Sequence, residues 1–385
     1  MAKEGFTFST SGAIEDSRIP NGRREAEGGN LSEELNLSTR WTSREGRERT
    51  QSILGLLRTG KSTAIAALLG THEGRSDLRG FLFPKPRQTG QSIGFSGYEV
   101  SMTSEPQRFE RLILEDIDFS CADMTETIWK RCNFSNCEFD NSRLNEAAFF
   151  DCHVSESRFV NSNLTGCVLG GHVRNHSGEL VNCRFQGGKF KEVVFAFPKL
   201  EGCRFDCDVV NVDFNGSQLT DCIFTGRLDK VIFRRKPSKS VTDEIRLARL
   251  IPENRMEHVD FSEADLHDVD FRNGIDLTKC IFSKGRRGMF LVLDGTRVFA
   301  EVRRQIESSW NGENRRIGLG YTANYFMDRI KDGQRHFLID EDSIIEDWGE
   351  PLGHCYVTMI RAVAQRLGVL DELGRVPHDP SSDRR

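Results

Sequence analysis

The chain has 385 residues, 37% hydrophobic and 29% charged, with 53 basic against 58 acidic side chains and a formal charge of −5. That length holds two or three domains, and the near balance of charge excludes a general nucleic-acid binder, which carries a basic excess. No stretch approaches the run of roughly 18 uncharged apolar residues of a membrane span, and the start Met1-Ala2-Lys3-Glu4-Gly5 has no apolar signal core, so a cytoplasmic protein with reduced cysteines is expected.

Residues 1–41 mix Gly, Ser, Glu and Arg without apolar periodicity and are expected to form a disordered tail. From 42 to 76 the pattern turns helical. Ile53, Leu56 and Leu57, then Ala64, Ile65, Leu68 and Leu69, follow helical spacing, with Gly60 and Gly70 as stop signals. Within this stretch, Gly55-Leu56-Leu57-Arg58-Thr59-Gly60-Lys61-Ser62 spells a phosphate loop, in which Gly55 and Gly60 would allow close backbone approach, Lys61 would reach the phosphates and Ser62 would hold Mg²⁺. The context argues against it. A working phosphate loop follows a buried strand, whereas charged Arg44 to Gln51 precede this one, and the apolar run Met289 to Leu293 before Asp294 lies far down the chain. No cofactor is expected.

Asp77-Leu78-Arg79-Gly80-Phe81-Leu82-Phe83 begins a different rhythm, and from Phe109 large apolar residues recur every five positions: Leu114, Phe119, Met124, Trp129, Phe134, Phe139, and so on to Leu169. Small or thiol side chains recur two positions before these centres. After an irregular stretch near Gly170 to Glu179 the rhythm resumes at Phe185, drops one residue twice before Phe214 and Phe233, and ends with Phe261, Leu266, Phe271, Leu277 and Phe282. Of the 27 Phe, 16 sit on centres, and of the 11 Cys, 8 sit two before them. A period of five fits neither the helical 3.6 nor the strand's 2. It fits a coil that turns a corner every five residues, with four units closing a square turn and centres stacking about 20 residues apart at roughly 4.8 Å. The narrow inner position then takes Cys as a small hydrophobe.

Units such as Ala122-Asp123-Met124-Thr125-Glu126, Cys132-Asn133-Phe134-Ser135-Asn136, Ser162-Asn163-Leu164-Thr165-Gly166 and Ala264-Asp265-Leu266-His267-Asp268 resemble the pentapeptide-repeat family. The resemblance covers about residues 109–233 and 257–283 and implies a mainly β chain, a right-handed quadrilateral β-helix, whose domain is expected to run over 77–283. Pro198 at an inward position and the two shortened steps depart from the family pattern.

An inserted loop at 234–256 interrupts the repeats with Arg234-Arg235-Lys236-Pro237 and a short helix expected over Val241 to Ile251. Its basic entry, Arg234, Arg235 and Lys236, is a candidate partner contact, because loops on a rigid scaffold often carry binding. Residues 284–370 read as a small α/β cap: a strand over Met289 to Leu293, helices over 296–308, 323–331 and 356–367, and a strand from His336 to Ile339; 371–385 form a second tail. The face formed by Ile360, Val363, Ala364 and Leu367 suits either covering the last coil or pairing with a second copy, as C-terminal helices of some family members do.

Metal and nucleophile chemistry find little support. There is no Cys-x-x-Cys pair, no His-Glu-x-x-His, and His354-Cys355 stands without an orienting acid; Cys207, two after Phe205, should point outward. Neither a catalytic residue nor a metal site is expected, and the chain is read as a non-enzymatic scaffold for a protein partner. The resemblance also brings an alternative, a rod that mimics DNA at a type II topoisomerase such as gyrase. Charge patterning supports this weakly: 109–233 holds 19 acidic and 13 basic residues, Arg158 breaks the stripe begun by Asp118, Glu138 and Asp140, and only 257–276, with Asp260, Asp265 and Asp270, is densely acidic.

Overall fold

The computed structural model describes residues 37–59, 64–85, 92–95, 98–101, 107–171, 177–237, 251–283 and 288–373. Its centre is a four-faced parallel β-helix. The first face stacks Arg108–Glu110, Ile128–Lys130, Ala148–Phe150, Val168–Gly170 and Val194–Ala196; the second runs from Ile113–Glu115 through Asn133–Ser135, His153–Ser155, Glu179–Val181 and Lys199–Glu201 to Gln218–Thr220. The third face runs from Arg75–Asp77 past Ile117–Asp118 to Ile281–Phe282, and the fourth is held by single bridges Asp123↔Arg143, Arg143↔Asn163 and Asn163↔Lys189 before regular strands begin at Phe190–Lys191.

The five-residue period is the geometry of one side. Phe149 sits above Trp129 and Val154 above Phe134, one 20-residue coil apart, so centre meets centre. On the third face eight rings, Phe119, Phe139, Phe159, Phe185, Phe205, Phe224, Phe261 and Phe282, stack with centroids 4.6–5.6 Å apart and planes within 18°. Such offset parallel contacts bury ring faces that need no hydrogen-bond partner, which explains Phe over Tyr. The corners carry a cost. From Arg111 to Asn161 every fifth residue has φ between 49° and 60°, although only Asn136, Asn141, Asn161, Asp116 and Asp151 among them are of a type that accepts it readily.

Departures from the period are absorbed locally. Val154 pairs with Leu180 rather than with a residue 20 on, and the surplus leaves at a corner where Gly178 has φ +80° and a Cβ would lie 2.9 Å from the Cys152 carbonyl oxygen. The shortened steps place Val209 and Leu228 as centres on the fourth face. Cys207 thereby falls two before Val209 and is buried, correcting the expectation that it points outward.

Both ends are closed. The helical part begins at 37 rather than 42: a short helix over 37–42 carries buried Trp41, and helix Arg44–Arg58 buries Ile53, Leu54 and Leu57 against the first coil. The C-terminal cap is a three-stranded antiparallel sheet, with Met289–Val292 between Phe337–Asp340 and Leu370–Asp371. Its apolar central strand is two-sided. Met289 and Leu291 join the solenoid core, while Phe290 and Val292 join a separate core with helices Gly295–Ser309 and Leu352–Arg366. Ile360, Val363 and Ala364 lie at 0–2% exposure in that second core, so the sheet covers the last coil and this helix face is not offered to a second copy. Two helices in the cap, Gly312–Tyr321 and Glu341–Trp348, had no expected counterpart; the first continues as a π-helical turn, Thr322–Met327, into the expected 323–331 helix. Glycines and charges in 312–320 hide the periodicity of the first.

Candidate protein-binding surface

The inward cysteines are structural. Cys137, Cys152, Cys183 and Cys203 each place Sγ 3.3–3.4 Å from the carbonyl oxygen of a centre one coil below: Leu114, Trp129, Val154 and Leu180. The thiol is a weak donor to a carbonyl lone pair and otherwise packs as a hydrophobe. Burial pushes Cys137 and Cys207 up to about 12, which leaves neither a useful nucleophile nor a ready metal ligand. Among the described residues no group of three His, Cys, Asp or Glu side chains is placed to hold a metal ion.

The acidic stripe on the third face is neutralised within the chain. Asp118 and Glu138 are almost fully buried; His72 Nδ1 lies 2.8 Å from Asp118, Arg75 reaches Glu138 at 2.9 Å, and Arg158 spans Glu138 and Asp140 at 3.4 and 2.7 Å. Burial raises the Glu138 carboxyl above its ordinary range despite Arg158 and Arg75, and burial likewise raises Asp140. Beside them burial would raise Asp77 too, but hydrogen bonds from Arg40 and Arg79 hold it well below the carboxylate range.

The sequence-derived partner contacts do not converge. Arg234 bonds Asp213 at 2.8 Å, while Arg235 and Lys236 both clasp Glu253 on the returning arm of the insertion, at 2.6 and 2.9 Å. Lys236 and Arg235 pull the Glu253 carboxyl below its ordinary value. Buried Asn254 completes this stem: its Oδ1 accepts from Leu219 and Met256 N–H, and its Nδ2 donates to the Arg234 carbonyl. The basic entry is a structural clasp, and the helix expected over Val241 to Ile251 lies, apart from Ile251, outside the described residues. Asp260 accepts from the Ser262 N–H in its own turn, Asp270 is claimed by Arg272 and Arg329, and Asp265 is exposed at the start of strand Asp265–Arg272.

Of the phosphate-loop candidates, Gly55 is inside helix Arg44–Arg58, where its carbonyl accepts the Thr59 N–H; Gly60, Lys61 and Ser62 lie outside the described residues. A helical Gly55 cannot open the loop that the letters require. Asp294, which follows the apolar run Met289 to Leu293, caps helix Gly295–Ser309 by accepting the Arg297 N–H.

The open surface is the second face. Its outward residues from Asn133 to Thr220 are mostly small or neutral, including Ser135, Ser155, Val181 and Gln218, and exposed Ile113 stands at its foot with 55% of its surface in solvent. Charges there sit in local pairs, His153 with Glu179 at 3.2 Å and Lys199 with Glu201 at 2.5 Å. At its upper end the strand Gln218–Thr220 and the arm Pro252 to Glu257 enclose a cleft of about 510 Å³, lined by Leu219, Glu253, Arg255 and Glu257. These cleft residues were missed in the sequence, because only the fold shows that the insertion's arm returns beside that strand.

The fold defines the class, a capped four-sided β-helix built on a five-residue unit. The family model for pentapeptide repeats matches eight copies at residues 117–155, in the lower coils of this β-helix. Solved structures with detectable similarity include a trypsin-treated variant of QnrB1, a plasmid-mediated fluoroquinolone resistance protein, at 18% identity over 51% of this chain and 90% of that one, with a TM-score of 0.24. HetL, a pentapeptide repeat protein involved in heterocyst differentiation regulation from Nostoc sp. strain PCC 7120, aligns at 15% identity over 47% of this chain and 91% of its own, with a TM-score of 0.21. Rfr23 from Cyanothece 51142 aligns at 9% identity over 54% and 88%, with a TM-score of 0.11. No curated protein matches the sequence.

Proposed function

We propose that the protein is a non-enzymatic, cytoplasmic scaffold that binds a protein partner on its second face, with the cleft beside the insertion stem as the end of that surface. The observation that carries this reading is the contrast between faces: the third face spends its acids on Arg75, Arg79 and Arg158, whereas the second, along six paired strands, presents mostly neutral side chains beside the charged Glu115, Glu179, Lys199 and Glu201 and ends in a cleft. A rigid surface of that kind gains affinity by complementarity without ordering cost.

Capture from native lysate tests it with three proteins: wild type, Ser135→Arg/Ser155→Arg on the second face, and Arg143→Glu on the fourth. The expected result is a partner held by wild type and Arg143→Glu and lost by the double variant. A partner indifferent to the double variant overturns the choice of face. The topoisomerase-mimic reading ranks behind, because a mimic needs unpaired carboxylates along one column to draw in phosphate-binding Lys and Arg. A gyrase supercoiling assay with purified protein decides it, and inhibition or protection at stoichiometric protein would put the mimic first.

A further inference from the structure

One outward stripe of the solenoid is apolar and covered. On the first face Ile128, Ala148, Phe150 and Val168 point away from the core, as strand alternation requires, and form a cluster of their own with half-buried Val194. Their exposures are 5%, 0%, 6% and 3%. Ile113 provides the comparison: it holds the same register position, one before a centre, on the neighbouring face, and is 55% exposed. Ile128 is therefore shielded by something other than its own coil.

The chain supplies an element at that corner. Leu82 bridges to Asp123, 41 positions on, where Asp123 bridges to Arg143 after 20, so a surplus of 21 residues leaves the first coil between Phe83 and Phe109. It re-enters at Gln107, whose carbonyl accepts the Ile128 N–H at 2.8 Å, at the lower end of the stripe. Within the surplus lies an antiparallel hairpin of Ser92–Phe95 and Tyr98–Ser101, which registers Ile93 with Val100 and Phe95 with Tyr98. These pairs occupy alternate rungs, so the backbone register puts the hairpin's four large apolar residues at positions of one parity. A four-residue arm is about 13 Å long, and the stripe from Ile128 to Val168 crosses two inter-strand steps of about 4.8 Å, so one arm is long enough to span it. Helix Arg44–Arg58, the other element near this end, buries its apolar residues Ile53, Leu54 and Leu57 under the first coil instead.

We propose that the hairpin Ser92–Ser101 docks on the stripe formed by Ile128, Ala148, Phe150 and Val168, making the first face an internal interaction surface that the chain itself occupies. The proposal is independent of the second-face reading. Amide hydrogen exchange on the full chain tests it. Phe150→Arg should speed exchange in peptides covering 92–101 by at least about tenfold while peptides of the Phe119–Phe205 ladder keep their protection, and Ile113→Arg should change neither. The reciprocal variant Ile93→Ser/Phe95→Ser replaces no coil residue, so it keeps the solenoid intact; it should raise the fluorescence of an apolar dye, and adding Phe150→Arg should remove most of that rise. Hairpin exchange equal in wild type and Phe150→Arg, or dye binding unaltered in the hairpin variant, overturns the proposal. Should Phe150→Arg unfold the coils, the hairpin variant alone decides.

Discussion

Arg329 of the C-terminal cap grips Asp270 of the last complete coil, with Nε 3.0 Å from Oδ1, while its guanidinium lies 3.6 Å from the Tyr325 ring centroid. Both side chains are largely withdrawn from solvent, at 15% and 10% exposure, and Arg272 contacts the same carboxylate at 2.6 Å. Buried Gln334 fastens the junction further: its Oε1 accepts the Gly274 and Ile275 N–H groups. Removing Asp270 strands two guanidinium groups, whereas removing Arg329 leaves the carboxylate with Arg272. Asp270→Ala should therefore cost about 3 kcal/mol and Arg329→Met clearly less. Urea denaturation of both variants checks the order, and equal losses would show that Arg272 contributes nothing.

The Phe ladder gives a graded prediction. Phe139 lies between Phe119 at 5.2 Å and Phe159 at 4.6 Å, at 0% exposure. Phe139→Leu keeps most of the volume and should cost about 1–2 kcal/mol, Phe139→Ala about 3–5 kcal/mol. Phe139→Asp buries an unpaired charge and should prevent folding. Thermal melts by circular dichroism measure all three, and a Phe139→Asp melt like that of wild type would contradict the inward register.

The solenoid was legible in the sequence because a single period repeats at every level, from Phe119 to Phe282, and small errors of register do not propagate. Cys207 shows the limit: counted from Phe205 it points outward, and only the shift of the next centre to Val209 turns it in. Pairing across coils was not legible, since Arg75 with Glu138 and Glu253 with Lys236 depend on where irregular segments return. The basic run 234–236 was legible as charge, but its pairing with Asp213 and Glu253 was not.

Thiol chemistry should divide the cysteines sharply. Cys355 is exposed on helix Leu352–Arg366, Cys121 and Cys280 are half-buried, and the other eight are buried. Burial holds Cys137 and Cys207 up to about 12, so few thiolates exist at neutral pH. Native protein should lose one thiol rapidly to iodoacetamide, at Cys355, with the remainder reacting on the timescale of unfolding. Peptide mass spectrometry reads the sites, and fast labelling of Cys137 or Cys203 would mean that the coils open far more often than the ladder allows.

The left-handed corners offer a stabilising change. Glu146 has φ 55° and is exposed. A non-glycine residue there stores about 1–2 kcal/mol of strain, and glycine loses about 0.5–1 kcal/mol through its freer unfolded chain. Glu146→Gly should therefore gain up to about 1 kcal/mol in urea denaturation, and a loss would show that the Glu146 stem packs on the Gly166 corner above it.

The last prediction follows from Glu138. Burial raises its carboxyl pKa, and Arg158 and Arg75 only partly offset that rise. The folded chain thus holds the proton more tightly than the unfolded chain, so this group's stabilising contribution is full below the ordinary glutamate pKa and is lost as pH rises through the higher folded value. At neutral pH the buried charge works against folding, and Glu138→Gln should raise Tm by about 1–2 °C there. The gain should shrink as pH falls and vanish once wild-type Glu138 is protonated in both states. Melting curves of the two proteins from pH 7 to pH 4 measure this, and a Glu138→Gln variant less stable at pH 7 would mean that the pairs with Arg75 and Arg158 outweigh burial.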